Sequence, residues 1–147
     1  MRDEAFAHTE RVRFGDLDAM QHLNNVEFLR YFETARIEYL KSLSFKLEPT
    51  ERDRFGFIFG DCRITYRAPA FYGDEVRTEV RPVEIGRSSL KLGFEMWVPP
   101  DDRLIAEGYG VLVGYSYAEE LTQPLPDWLR EALVADGATE RARQEPA

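Results

Sequence analysis

The sequence predicts an α+β domain in which an antiparallel sheet of five or six strands curls around one long central helix. The stretch Val26 to Leu43 holds neither Gly nor Pro and is apolar over most of its circumference. Segments after it alternate with a period of two, the signature of strands. The later connections, Gly86-Arg87-Ser88 and Pro99-Pro100-Asp101-Asp102, are turn-forming, so the strands they join should run antiparallel.

Taken in order, His8 to Phe14 mixes charges with Val12 and Phe14 and predicts a short strand that ends at Gly15. A loop then runs to Asn24-Asn25. Asn24 is placed to cap a helix, since its side-chain oxygen can accept from a free N–H of the first turn, and Glu27 stands three residues on as in a capping box. At about 100° per residue, Glu27, Arg30, Thr34, Glu38 and Lys41 form one narrow charged stripe. Phe28, Leu29, Phe32, Ala35, Tyr39, Leu40 and Leu43 cover a broad arc, wider than a helix lying on one flat surface needs. A curved sheet can enclose such a helix.

After a connection rich in charge, Asp61 to Arg67 sets Cys62, Ile64 and Tyr66 opposite Arg63, Thr65 and Arg67. Glu75 to Arg81 sets Val76, Thr78 and Val80 opposite four charged residues, as a sheet with one wet face requires. Leu90 to Val98 and Leu104 to Tyr117 continue the sheet. Gly108, Gly110 and Gly114 in the last strand predict bending or close backbone approach. A short helix is expected over Asp127 to Val134. Residues 1–135 should form one domain and 136–147 a charged, mobile tail.

The 147 residues, 44% hydrophobic and 31% charged, suit a single core. A net charge of −8 argues against a general nucleic-acid binder, which needs a dominant basic face. With Cys62 alone, no intramolecular disulfide can form, and a reducing, cytoplasmic setting is expected. No apolar run reaches the length of a membrane span or a signal core. Neither a membrane nor a nucleic-acid partner is expected, and no metal or cofactor.

The stretch RFGDLDAMQHLNNVEFLRYFETARIEYL, Arg13 to Leu40, resembles the signature of acyl-CoA thioesterases of the 4-hydroxybenzoyl-CoA thioesterase type. The matching positions are Asp16, Asp18, His22, Asn24, Asn25, Tyr31, Phe32, Glu33, Ala35 and Arg36; ITYRAPAFYGDEV and IGRSSLKL resemble later segments of the family. The resemblance implies the hotdog fold and hydrolysis of an acyl-CoA thioester to free acid and CoA. It also implies a homodimer or homotetramer with sites at the subunit interface. Gln21 departs from the pattern, standing where the family has Gly, and could narrow the site or alter the loop.

In the family the residue matching Asp18 acts as nucleophile or as general base for water. A carboxylate suits this chemistry, because a thiolate leaves without a strong acid. The backbone N–H of Asn25, at a helix start, is the implied donor to the carbonyl oxygen, and such a donor is worth about 3–4 kcal/mol in a transition state. The Gly60 N–H is a weaker candidate for a second contact. His22 is a possible catalytic group, more readily read as shaping the loop. Glu33 either faces the acyl pocket or pairs with Arg36 three residues on; Asp16 is read as structural or functional with equal weight. Arg63, Arg67, Arg87, Ser88 and Lys91 are the candidates for contact with coenzyme A, against a plain reading as solvated surface.

A hydratase of the same fold would space its Asp and His with four residues between, whereas Asp18 and His22 have three and Asp16 and His22 have five. A noncatalytic acyl-thioester-binding protein and an acyl-carrier-protein thioesterase are the rival functions compatible with the same residues.

Overall fold

The computed structural model describes residues 5–44 and 55–141. Its long helix, α1 (Asn25–Ser42), packs on one face of a sheet built from β1 (Phe6–Arg11), β2 (Phe55–Tyr66), β3 (Glu75–Ile85), β4 (Ser89–Val98) and β5 (Arg103–Ser116). These five run antiparallel in the order β1-β3-β4-β5-β2. Two strands of two residues extend the sheet to seven: β6 (Leu121–Thr122) on β5, and β7 (Thr139–Glu140) on β3. The count therefore exceeds the expected five or six, and the β3–β7 pair is parallel. Pairs this short carry too little alternation to be read in a sequence.

The differences in element bounds have local causes. β1 stops at Arg11 rather than Phe14, because Phe14–Asp16 coils into a 3-10 turn. β2 begins at Phe55 rather than Asp61, and its register with β5 shifts between Phe59 and Asp61. Such a bulge reverses the phase of the side chains, so the two halves of β2 do not read as one alternating run.

Phe28, Tyr31, Phe32, Ala35, Tyr39 and Leu40 of α1 are buried, while Leu29 and Leu43 of the expected arc are half-buried. They meet Val76, Val80, Leu90, Leu92, Phe94 and Met96 of the sheet; the Phe32 and Phe94 rings stack 4.3 Å apart. Each such side chain contributes about 1.5–3 kcal/mol on leaving water. Gly110 of β5 lets the helix come this close: a Cβ there would sit 2.7 Å from the Phe32 ring and 2.8 Å from that of Phe59.

After α2 (Asp127–Ala135) the chain does not leave the domain at Asp136 as expected. The Tyr39 hydroxyl donates to the Asp136 carboxylate at 2.7 Å, Ala138 is buried, and the Arg141 N–H donates to the Ile85 carbonyl at 2.8 Å. Residues 136–141 are thus part of the packed unit, and the rest of the expected tail lies outside the described residues. Among the described residues no helix is long and apolar enough to cross a membrane.

Candidate active site

A buried carboxylate anchors the loop that leads into α1. Asp16 Oδ2 accepts from the Arg13 N–H at 3.1 Å, from Arg13 Nε at 3.3 Å and from the Tyr31 hydroxyl at 2.5 Å. Its carbonyl accepts from the Asn24 N–H at 2.9 Å. Burial pushes the Asp16 pKa up, but the bonds from Tyr31 and Arg13 outweigh it and hold the carboxyl below its ordinary value. Burial, reinforced by the bond to Asp16, raises the Tyr31 phenol, which therefore stays a donor. Asp16 thus joins the end of β1, the loop and the helix; nothing in the sequence marked Tyr31 as its partner, because the contact spans 15 residues.

Between Asp16 and Asn24 the chain forms a tight excursion. Leu17 and Leu23 bridge, the Asp18 N–H donates to the His22 carbonyl at 2.9 Å, and the Gln21 N–H donates to the Asp18 carbonyl at 2.9 Å. Gln21 takes φ 64°, in the left-handed region. That conformation costs a residue with a side chain about 1–2 kcal/mol and gives a physical reason for glycine at this point. The loop accepts Gln21 in that conformation, and its exposed side chain is not among the residues lining the cavity described next.

Asp18, His22, Leu23, Asn25, Phe28, Tyr66, Ala68 and Pro69 line a cavity of about 240 Å³. Asp18 Oδ1 accepts from the Met20 N–H at 2.9 Å and the His22 N–H at 3.4 Å. The carboxylate therefore does cap its own turn, but with one oxygen; Oδ2 receives no donor among the described residues. Asn24 caps α1 through its side chain, which accepts from the Val26 N–H at 3.1 Å. The other half of the expected box does not form, because the Asn24 N–H goes to Asp16 and Glu27 pairs with Arg30 at 3.5 Å. The Asn25 N–H, first in the helix, has no intrahelical acceptor and lies where the helix dipole is positive. Tyr66, which the sequence did not single out, donates to the Asn25 carbonyl at 3.0 Å and sets its ring edge-on to Phe28 at 5.0 Å.

His22 lies in the same cavity with its ring edge-on to Phe71 at 5.4 Å. Its backbone bonds to Asp18 on both sides of the turn favour the loop-shaping role. Glu33 does not line this cavity: its side chain is 59% exposed and pairs with Arg36 at 3.7 Å. Nor does Gly60, which sits at the bulge in the middle of β2 rather than at a strand entrance.

The five candidates for coenzyme A lie apart from the cavity within one chain. Arg63 lies on β2, and Arg67, one residue past the end of that strand, pairs with Glu107 at 3.0 Å. Lys91 lies 4.1 Å from the Tyr109 ring centre. Arg87 donates to Ser88 Oγ at 3.1 Å in the β3–β4 turn. A larger hollow of about 410 Å³ lies on the outer face, where Arg63 and Arg81 alternate with Glu79, Glu95 and Glu107. No residue of either helix is among those that line it.

The family model described as "Thioesterase-like superfamily" matches residues 12–133. The chain belongs to that superfamily. Two curated relatives are named as thioesterases. The long-chain acyl-CoA thioesterase FadM of Escherichia coli is 25% identical over 84% of this chain and 92% of its own. The acyl-CoA thioesterase YbgC of Haemophilus influenzae is 30% identical over 61% of this chain and 67% of its own. Among solved structures, a thioesterase-superfamily protein from Jannaschia sp. CCS1 superposes with a TM-score of 0.81 at 25% identity, covering 92% of this chain and 85% of that one. The match to the superfamily model takes in both Asp18 and α1.

Asp16 also sets a pH dependence. A carboxyl whose folded pKa is depressed stabilises above its unfolded pKa, near 4, and that contribution is lost as the pH falls through the folded value. Asp16→Asn is expected to lose about 1–3 kcal/mol at neutral pH and to show a shallower fall in stability below about pH 4. Urea unfolding as a function of pH checks this; a parent-like acid limb in the variant would show that the junction is not a charged one.

Proposed function

We propose that the chain hydrolyses acyl-CoA thioesters in the cavity that holds Asp18 and the start of α1. The observation that carries the reading is the meeting, in one cavity, of a carboxylate with an oxygen to spare and the first N–H of a helix. A thioester carbonyl placed between them would have its oxygen on the Asn25 N–H and its carbon toward Asp18. Negative charge gathering on that oxygen is stabilised by a donor that needs no reorganisation. Asp18 either attacks the carbonyl carbon, expelling the CoA thiolate and leaving an anhydride that water then hydrolyses to the free acid, or takes a proton from a water that attacks, the thiolate departing as the tetrahedral intermediate collapses. The names of the FadM and YbgC relatives support CoA as the carrier.

The working unit in this reading is at least a dimer joined along β2. That strand is an edge of the sheet and exposes Ile58, Phe59 and Tyr66, an apolar edge of the kind that a second copy covers. Pairing there would add the partner's surface beside each Asp18 cavity and bring the partner's cations toward the CoA phosphates. The free, exposed Cys62 on the same strand suits a reducing cytoplasm.

Asp18→Asn keeps the acceptor that caps the turn and removes the charge. It should lower kcat by about 10²–10⁴-fold with little change in acyl-CoA binding; unchanged turnover would remove Asp18 from the mechanism. If the parent protein binds a broad acyl-CoA panel without hydrolysing any member, the noncatalytic reading prevails, and faster turnover of matched acyl-carrier-protein substrates would transfer the assignment to that carrier. Sedimentation should find a dimer or larger that Ile58→Lys dissociates; a parent chain that sediments as a monomer would contradict the β2 interface.

A further inference from the structure

Tyr66 ends β2, and its hydroxyl donates to the carbonyl of Asn25, the first residue of α1, at 3.0 Å. Its ring stands edge-on to buried Phe28 at 5.0 Å and lines the cavity shared by Asp18 and Asn25. Tyr66 is 47% exposed, so water is open to its hydroxyl and the bond is not forced by burial. Nor does the carbonyl require it, because a helical carbonyl has its ordinary donor one turn on and a second lone pair to spare. What the bond adds is position: a phenol seated on the strand holds the first turn of the helix.

The hydrogen bonds of that turn show what this position controls. The Val26 N–H donates to the Asn24 side chain at 3.1 Å, and the Glu27 N–H to the Asn24 carbonyl at 2.8 Å. The Asn25 N–H has no acceptor among the described residues and is the donor left for a ligand. Its direction is set by the two peptide planes that meet at the Asn25 Cα. The later plane carries the Asn25 carbonyl and the Val26 N–H, so Tyr66 holds one end of it and the Asn24 side chain the other. Just before the helix, the Leu23 N–H goes to the Ala70 carbonyl at 2.7 Å and the Asn24 N–H to the Asp16 carbonyl at 2.9 Å. Those bonds fix the approach to α1, whereas the bond from Tyr66 reaches Asn25 itself. Without it, the later plane keeps a cap made within its own turn and loses its hydrogen bond to β2. Helix ends fray where such ties are missing.

We propose that Tyr66 is a positioning residue for thioester hydrolysis: through the Asn25 carbonyl it aims the Asn25 N–H at the oxygen that gathers charge in the transition state. It acts through Asn25 rather than on the thioester. Charge on that oxygen grows as the carbonyl carbon is attacked, so the aim of the donor counts for more in the transition state than in the bound substrate. The hydroxyl should therefore act on kcat and leave binding almost untouched. The proposal rests on the Asp18 and Asn25 site as the place where the thioester binds.

Tyr66→Phe removes the hydroxyl and keeps the ring beside Phe28. With an acyl-CoA that the parent protein hydrolyses, kcat should fall on the order of fivefold to tenfold, while the calorimetric Kd of an unreactive ketone analogue, a methylene replacing the thioester sulfur, stays within about twofold. The second readout is the infrared C=O band of that analogue when bound. It should move to higher frequency in Tyr66→Phe, because a donor aimed less well polarises the carbonyl less. A variant that was merely less stable would lose rate with its folded fraction and leave the band of the bound analogue in place. Parent-like kcat in Tyr66→Phe overturns the proposal, and so does a reduced kcat with an unmoved band. If the analogue bound to the parent protein absorbs as it does in an apolar solvent, the Asn25 N–H does not meet the carbonyl. That result overturns the reading of the site itself, and so is told apart from a failure of Tyr66 alone.

Discussion

The three hydrogen bonds received by one oxygen of Asp16 hold together the parts on which the site depends. Tyr31 brings the helix, Arg13 brings the chain leaving β1, and the Asp16 carbonyl ties down Asn24, the residue that caps α1. Remove the carboxylate and the loop would keep its internal turn but lose its fixed relation to the helix N-terminus. The distance between Asp18 and the Asn25 N–H is set by that relation. Buried Asp16 thus positions the carboxylate two residues on that faces the cavity.

The enclosure of α1 makes such precision possible. Phe32 packs flat on Phe94, and Gly110 clears the space into which Phe32 and Phe59 both press. A helix held this closely can offer its first N–H at a constant place. The side of the helix toward β2 is different: Leu29 is only half-buried, Glu33 is exposed, and the strand opposite presents apolar side chains to solvent. The same fold therefore gives one closely packed flank behind the start of α1 and one open flank along β2.

Much of this was legible in the residues. The run without Gly or Pro and its charged stripe located α1 to within a residue, and the alternation of Glu75–Arg81 located β3 because one face of that strand is wet. What escaped has physical causes. The bulge at Gly60 hid the first half of β2 by reversing its phase, and the docking of residues 136–141 depends on Tyr39, almost a hundred residues earlier. Asp18 and Asn25 could be named from the motif, but their shared cavity could not. The Tyr31–Asp16 bond and the Tyr66–Asn25 bond are tertiary, and no spacing rule foretells them. For Glu33 the spacing left two readings open, the acyl pocket or the pair with Arg36, and the structure has the pair.

In the proposed mechanism the carboxylate and the helix amide act on one carbonyl. A crystal structure with an acyl-CoA analogue in which a methylene replaces the thioester sulfur, leaving an unreactive ketone, tests that directly. The ketone oxygen should lie within hydrogen-bond distance of the Asn25 N–H, with Asp18 Oδ2 or a water bound to it facing the carbonyl carbon. An analogue bound with its ketone away from both groups, whether in the outer-face hollow or elsewhere, would contradict that mechanism.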